Sequence, residues 1–300
     1  MSAGTGIAAE TAGNLTLPLD LQKAMSKITD IGSLPEVTAK IVEVVENPKS
    51  SAAELHEIVR GDPALAAKVL KVVNSAFYGL PSQISSLERA IVMLGLSAVK
   101  NISLAASLSR LFKPGVTIQS FSPKDLWSHS VAVGICARML AEVSGSMVEE
   151  SFVGGLVHDM GLLIELQVFP DRLKDVVERS EKTGQDFCGL EREIIGADHQ
   201  AFGAYLSAKW KFPPGLRYAI SYHHNPEHLK PEFRRFVTLI QVADAICCQN
   251  DFGFSLTARS TDITDEMLTL VGVTAEQIEH LLDLLPVRFE EAQVIFGEPG

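Results

Sequence analysis

Apolar residues recur three and four positions apart along most of this chain, and strict alternation of apolar and polar residues is nearly absent. That period is the signature of helices with one buried face. Ser33-Leu-Pro-Glu36 combines a capping box with an early-turn proline, ahead of Val37, Ile41, Val44 and Val45. Ser51 and Glu54 make a second capping box, and Asp62-Pro63 reads as N-cap plus first helical residue. Ser85 with Glu88 and then Ser97 predict two further starts, with Gly95 closing the helix between them. Ser122-Pro123 opens a helix through Trp127, Val131, Ile135 and Leu140, and Ser144-Gly-Ser146 turns the chain. One helix is then expected through Phe152, Leu156, Leu163 and Leu166, followed by helices near 171–183, 198–210, 214–223, 231–249 and 275–284.

The expected fold class is all-α: a multi-helix bundle with an N-terminal helical lobe. Lys113-Pro-Gly115 is the best internal boundary. It separates residues 20–112, a lobe of short helices, from residues 118–290, a lobe of longer ones, the two fused as one unit. Residues 1–19, rich in Ala, Gly and Thr at their start, are expected to form a disordered tail.

Bulk properties remove some functions. Of 300 residues, 46% are hydrophobic and 21% charged, which describes an ordinary globular chain. Its apolar runs break well short of the about 18 residues of a membrane span, and no signal peptide is evident. A net charge of −11 repels a phosphate backbone, so nucleic acid is an unfavoured partner. Cys136, Cys188, Cys247 and Cys248 form no Cys-x-x-Cys pair and read as buried free thiols of a cytoplasmic protein.

Histidine and aspartate placement carries the candidate chemistry. Val157-His158-Asp159-Met160-Gly161 sets an adjacent His-Asp pair in an apolar helix, where an unpartnered polar side chain is costly. Partners stand on other predicted helices: His129, His199, His223-His224 and Asp244. Imidazole with carboxylate suits Fe, Mn, Ni or Zn, and helical bundles build such sites from facing helices. Singly, each histidine is better read as a hydrogen-bonded core residue. Lys209, Lys211, Arg217, Arg234 and Arg235 lie around His223 and read as a solvated basic face, with phosphate contact as the alternative.

The order His129, His158-Asp159, His199, His223-His224, Asp244 resembles the HD superfamily of metal-dependent phosphohydrolases, near its HD-GYP branch. A closer resemblance is to HDOD domains. Leu34-Pro35, Ile58-Val-Arg-Gly-Asp-Pro-Ala-Leu65, Val73-Asn-Ser-Ala-Phe-Tyr-Gly79 and Ala90-Ile-Val-Met-Leu-Gly95 carry it, and Gly155-Leu-Val-His-Asp-Met-Gly161 with Asp198-His-Gln-Ala-Phe-Gly203 extend it. It implies a bacterial signal-transduction module that acts on partner signalling proteins with little or no catalysis; the alternative is an HD-type phosphohydrolase. It further implies one metal site from His129, His158, Asp159 and Asp244, bridged by Asp159 to a second completed by His199 and His223 or His224. One or two divalent ions would be held. Two departures from active HD-GYP enzymes weigh against cyclic-di-GMP hydrolysis. Leu162 replaces a lysine, and Asn225-Pro-Glu-His228 stands where a Glu and a Gly-Tyr-Pro segment would follow. No catalytic residue is singled out. Asn74, Ser75 and Tyr78 are expected to serve local structure, with a ligand or partner groove as the alternative.

Overall fold

A computed structural model describes residues 17–26, 34–75, 78–112, 117–118, 121–146 and 148–296. The cap expected at Ser33, the boundary at Lys113-Pro114-Gly115, the tail at residues 1–16 and the signature residues Ala76 and Phe77 lie outside them. The described chain is all-α: among the described residues the one β contact is an isolated bridge between Ile118 and Phe121.

After α1 (Leu19–Ser26), whose main helix contact is with the second lobe, the first lobe contains α2 (Glu36–Glu46), α3 (Ala52–Arg60), α4 (Pro63–Val73), α5 (Leu87–Leu94) and α6 (Leu96–Leu108). Local chemistry sets several of these boundaries as expected. Ser51 and Glu54 close a reciprocal capping box on α3, and the Asp62 carboxylate accepts the Leu65 N–H at the start of α4. The start of α5 differs by one residue. Ser86, not Ser85, accepts the Arg89 N–H, because the hydroxyl must stand three residues before its donor. Nor does Ser97 cap α6: Gly95, at φ +86°, ends α5 and begins α6 with no linker between them. Leu17 is buried and α1 starts at Leu19, so order begins inside the stretch expected as tail.

The second lobe is built on α7 (Pro123–Ser144), which packs on α8 (Val148–Val157), α14 (Pro231–Gln249) and the last helix, α16 (Ala275–Phe296). Gly134 and Gly155 let α7 and α8 approach closely; a Cβ on Gly155 would lie 2.7 Å from the Gly134 backbone. Between them in sequence run α9 (Met160–Val168), α10 (Pro170–Thr183), α11 (Phe187–Ile194), α12 (His199–Lys209), α13 (Pro214–Tyr222) and α15 (Asp265–Val271). α16 extends through Pro286 to Phe296, well past the expected end at 284, because Leu285, Ala292, Ile295 and Phe296 continue its buried stripe.

The lobes interlock. The Phe112 ring meets Trp127 with centroids 4.8 Å apart, and Lys71 donates to the Val294 carbonyl at 2.6 Å. Tyr78 donates to Glu149 at 3.1 Å while Arg138 lies 4.6 Å from the Tyr78 ring centre and bonds Glu149. Asn74 gives its amide hydrogens to the carbonyls of Leu70 and Ile84 and accepts the Ile84 N–H; Ser75 donates to Val72. Among the described residues no helix is long and apolar enough to cross a membrane. All four cysteines are buried and unpaired by disulfides.

Candidate metal centre

The expected single helix over 152–166 is two helices, and the break falls at His158 and Asp159. Its cause is visible in the hydrogen bonding. The His158 Nδ1–H donates to the Gly155 carbonyl at 2.7 Å, and Asp159 adopts φ −94°, ψ 14°, off the helical ladder. Gly161 then permits the close crossing of α9 and α12: a Cβ there would lie 1.9 Å from the His199 carbonyl oxygen. The break turns both polar side chains of the pair toward the centre of the second lobe.

His129 on α7, His158 and Asp159 at the break, His199 opening α12, His223 ending α13 and Asp244 on α14 all converge there, each fully buried at 0% exposure. His224 joins them, its Nε2 3.1 Å from that of His199. The geometry falls into two overlapping halves. Asp159 Oδ1 lies 3.3 Å from the Nε2 of both His199 and His223, and these two nitrogens are 3.2 Å apart. On the other side, Asp159 Oδ2 is 3.3 Å from His158 Nε2, and Asp244 Oδ1 is 3.1 Å from His129 Nε2 and 3.6 Å from His158 Nε2. Asp159 thus faces both groups, as the expected bridging residue would.

Which nitrogen carries each ring proton follows from the outer partners. His129 Nδ1 faces the Phe252 carbonyl at 3.1 Å, His223 Nδ1 the Ala219 carbonyl at 3.0 Å, and His199 Nδ1 the two oxygens of Glu191 at 2.9 and 2.8 Å. A carbonyl or carboxylate can only accept, so each Nδ1 donates, as His158 does. In the neutral rings Nε2 is then a bare lone pair pointing at Asp159, Asp244 or another bare nitrogen. His158 Nε2, both oxygens of Asp159 and Asp244 Oδ2 have no hydrogen-bond partner. Buried acceptors facing acceptors are unfavourable without a cation between them. Ligands about 2.0–2.2 Å from a tetrahedral cation stand roughly 3.3 Å from one another, close to these separations.

The electrostatics agree in direction. Burial disfavours charge on His158, but Asp159 and Asp244 outweigh it and hold the imidazole well above its ordinary pKa. Burial also opposes charge on Asp159 and Asp244, yet the histidines keep both carboxyls well below the usual range. Burial pushes His223 and His224 down, toward the neutral form a metal requires. The centre demands positive charge, and a divalent cation fits the donor set.

Three contributors escaped the sequence reading. Glu191 orients His199 and also accepts its backbone N–H at 3.3 Å. Glu165 is fully buried; burial first, then Glu191, raises its carboxyl well above the usual range, and burial raises that of Glu191 as well. Gln200 accepts the His224 N–H at 3.0 Å. Asn74 and Ser75 have their polar atoms in bonds within the first lobe, and Tyr78 bonds Glu149 across the junction, as described above. Arg234 and Arg235 bond main-chain carbonyls of Leu229, Val271 and Ser144.

An all-α scaffold with histidines and aspartates converging from five helices defines an HD-like class of protein. The sequence profile of the HDOD domain matches residues 31–226, and the chain belongs to that family. Its fold is similar to that of an HDOD domain protein with unknown function from Geobacter sulfurreducens, with TM-score 0.75 at 22% identity over 91% of this chain and 95% of that one. A candidate phosphohydrolase from Shewanella amazonensis SB2B superposes with TM-score 0.71 at 22% identity, over 94% and 98% of the two chains. A candidate signal transduction protein from Marinobacter aquaeolei VT8 gives TM-score 0.74 at 23% identity, over 95% and 68%. An uncharacterised protein of Treponema pallidum (strain Nichols) is 24% identical over 237 residues, 77% of this chain but 45% of that protein. The chain therefore spans less than half of that relative's length.

Proposed function

We propose that this chain is a bacterial, cytoplasmic signal-transduction module that holds one or two divalent ions as a structural element and acts on partner signalling proteins without hydrolysis of its own. The observation that carries the reading is the burial of the centre. His129, His158, Asp159, His199, His223 and Asp244 have no exposed surface, and His224 alone of the donors is half-buried. A structural metal site is closed by its ligands, whereas a catalytic one keeps a position open to substrate. His129, His158 and Asp159, with Asp244 beside both histidines, would hold one ion; Asp159, His199, His223 and His224 would hold the other. An ion there would neutralise the buried carboxylates and tie together five helices.

Leu162 supports the same reading. It is fully buried one turn beyond the His-Asp pair, where it contributes packing and no charge for a phosphate oxygen. Without a side-chain cation there, one contact that would stabilise charge on a transferring phosphoryl group is missing. The test is an assay of the purified chain with Mn or Fe on cyclic-di-GMP and on bis(p-nitrophenyl) phosphate. Turnover no faster than with metal alone is expected. Turnover that Asp159→Ala abolishes would move the chain to the phosphohydrolases.

A further inference from the structure

A second feature of the fold lies between the lobes. A cavity of about 580 Å³ opens where α6 of the first lobe faces α13 and α14 of the second. That volume is in the range of sites for small organic molecules. None of the candidate metal ligands lines it. Its walls are mostly apolar: Leu96 and Leu216 stand with Phe236 and with Tyr218 and Phe233, whose rings pack 4.6 Å apart.

Three polar residues of α6, Ser97, Lys100 and Asn101, break this surface. Asn101 is only 6% exposed, it lines the cavity, and among the described residues its side-chain amide has no protein hydrogen-bond partner, so its donor and acceptor are open to whatever fills the cavity. The amide presents an acceptor beside a donor to the cavity, a pairing edge that a ligand amide matches. Its neighbour Lys100 is already engaged by Ser50, and burial pushes its pKa down. Glu150 and Glu232 also line the space, so the local charge is unfavourable to an anion.

We infer that the inter-lobe cavity is a binding site for a small, uncharged, planar molecule bearing a carboxamide or lactam edge. The apolar walls would take the flat body, and Asn101 would pair with the amide edge, giving up its unmet donor and acceptor together. The two glutamates against the single Lys100 disfavour an anion. The occupant would touch α6 on one lobe and α13 and α14 on the other, so binding would fix the angle between them. The inference rests on the cavity alone and stands apart from the metal centre.

The experiment is a titration of the intact, 15N-labelled chain with benzamide, followed through side-chain amide resonances. Acetophenone is the comparator, nearly equal in size but without the amide N–H group. Saturable shifts of the Asn101 amide in the millimolar range are expected with benzamide, with acetophenone at least about tenfold weaker. Asn101→Leu, which keeps the volume, should weaken benzamide about tenfold or more. Ser97→Trp, placed at an exposed lining position, should abolish binding of both compounds. Bound metal and helical content serve as folding controls, and Ser97→Trp suffices if Asn101→Leu does not fold. No saturable shift in the wild-type chain, equal binding of the two compounds, or benzamide binding unchanged by Ser97→Trp would overturn the inference.

Discussion

Glu191 grips His199 from behind the metal centre: its two oxygens lie 2.9 and 2.8 Å from the imidazole Nδ1, so the ring's other nitrogen points inward. Glu191→Gln should keep the volume but replace one of the two acceptor oxygens that fix this orientation with an NH2 donor. Metal affinity is expected to fall about 10–100-fold, read by competition with a chromophoric chelator, while helical content is retained. Unchanged affinity would mean that Glu191 is a packing residue only.

Gly161 governs how closely α9 and α12 approach, since a Cβ would lie 1.9 Å from the His199 carbonyl. Gly161→Ala should therefore push His199 away from Asp159 and destabilise the fold by about 3 kcal/mol, the upper end of ordinary overpacking. Denaturant melts with parallel metal analysis check both effects. Wild-type stability with full metal content would refute the close crossing.

Asp62 joins two tasks, capping α4 and pairing with Arg110, and the Arg110 hydrogen bond leads in lowering its carboxyl from 3.8 to about 2. A folded pKa below the unfolded one stabilises above the unfolded value and is lost as pH falls through the folded value. The contribution is thus complete above about pH 4 and gone near pH 2. Asp62→Ala should cost about 1–2 kcal/mol at neutral pH. The difference from wild type should shrink between these limits. A difference independent of pH would contradict the ion pair.

Tyr78 bonds Glu149 across the lobe junction at 3.1 Å. Burial, then Glu149, raises its phenol well above the ordinary value, so it remains a donor throughout. Tyr78→Phe should lower stability by about 1 kcal/mol and leave bound metal unchanged. Loss of metal in that variant would show that the two lobes do not act separately.

Much of this was legible in the sequence because its signals are local. Ser51 with Glu54, Asp62-Pro63 and Ser122-Pro123 set helix starts within a few residues, and the structure uses each of them. The ordered histidines and aspartates marked a candidate centre because charge and imidazole are anomalous in apolar helices. Glu165 and Glu191 were not legible. Each is one acidic residue on a helix, indistinguishable from a solvated one until α9 and α11 are placed beside α12. The break at His158-Asp159 was hidden too, because Leu156, Leu163 and Leu166 keep helical spacing across it. The length of α16 depended on tertiary burial, which overrode Pro286 as a stop signal.

The central claim is that the buried His-Asp cluster is a metal centre that supports the fold. Its most direct test is elemental analysis of the intact chain purified without chelator or affinity metal, paired with thermal melts before and after a strong chelator. One or two equivalents of Fe, Mn, Zn or Ni are expected. The melting temperature should fall on chelation and return with added cation, and His158→Ala should remove both the metal and the response. A chain that purifies without metal, and whose melting temperature ignores chelator and cations alike, would contradict it.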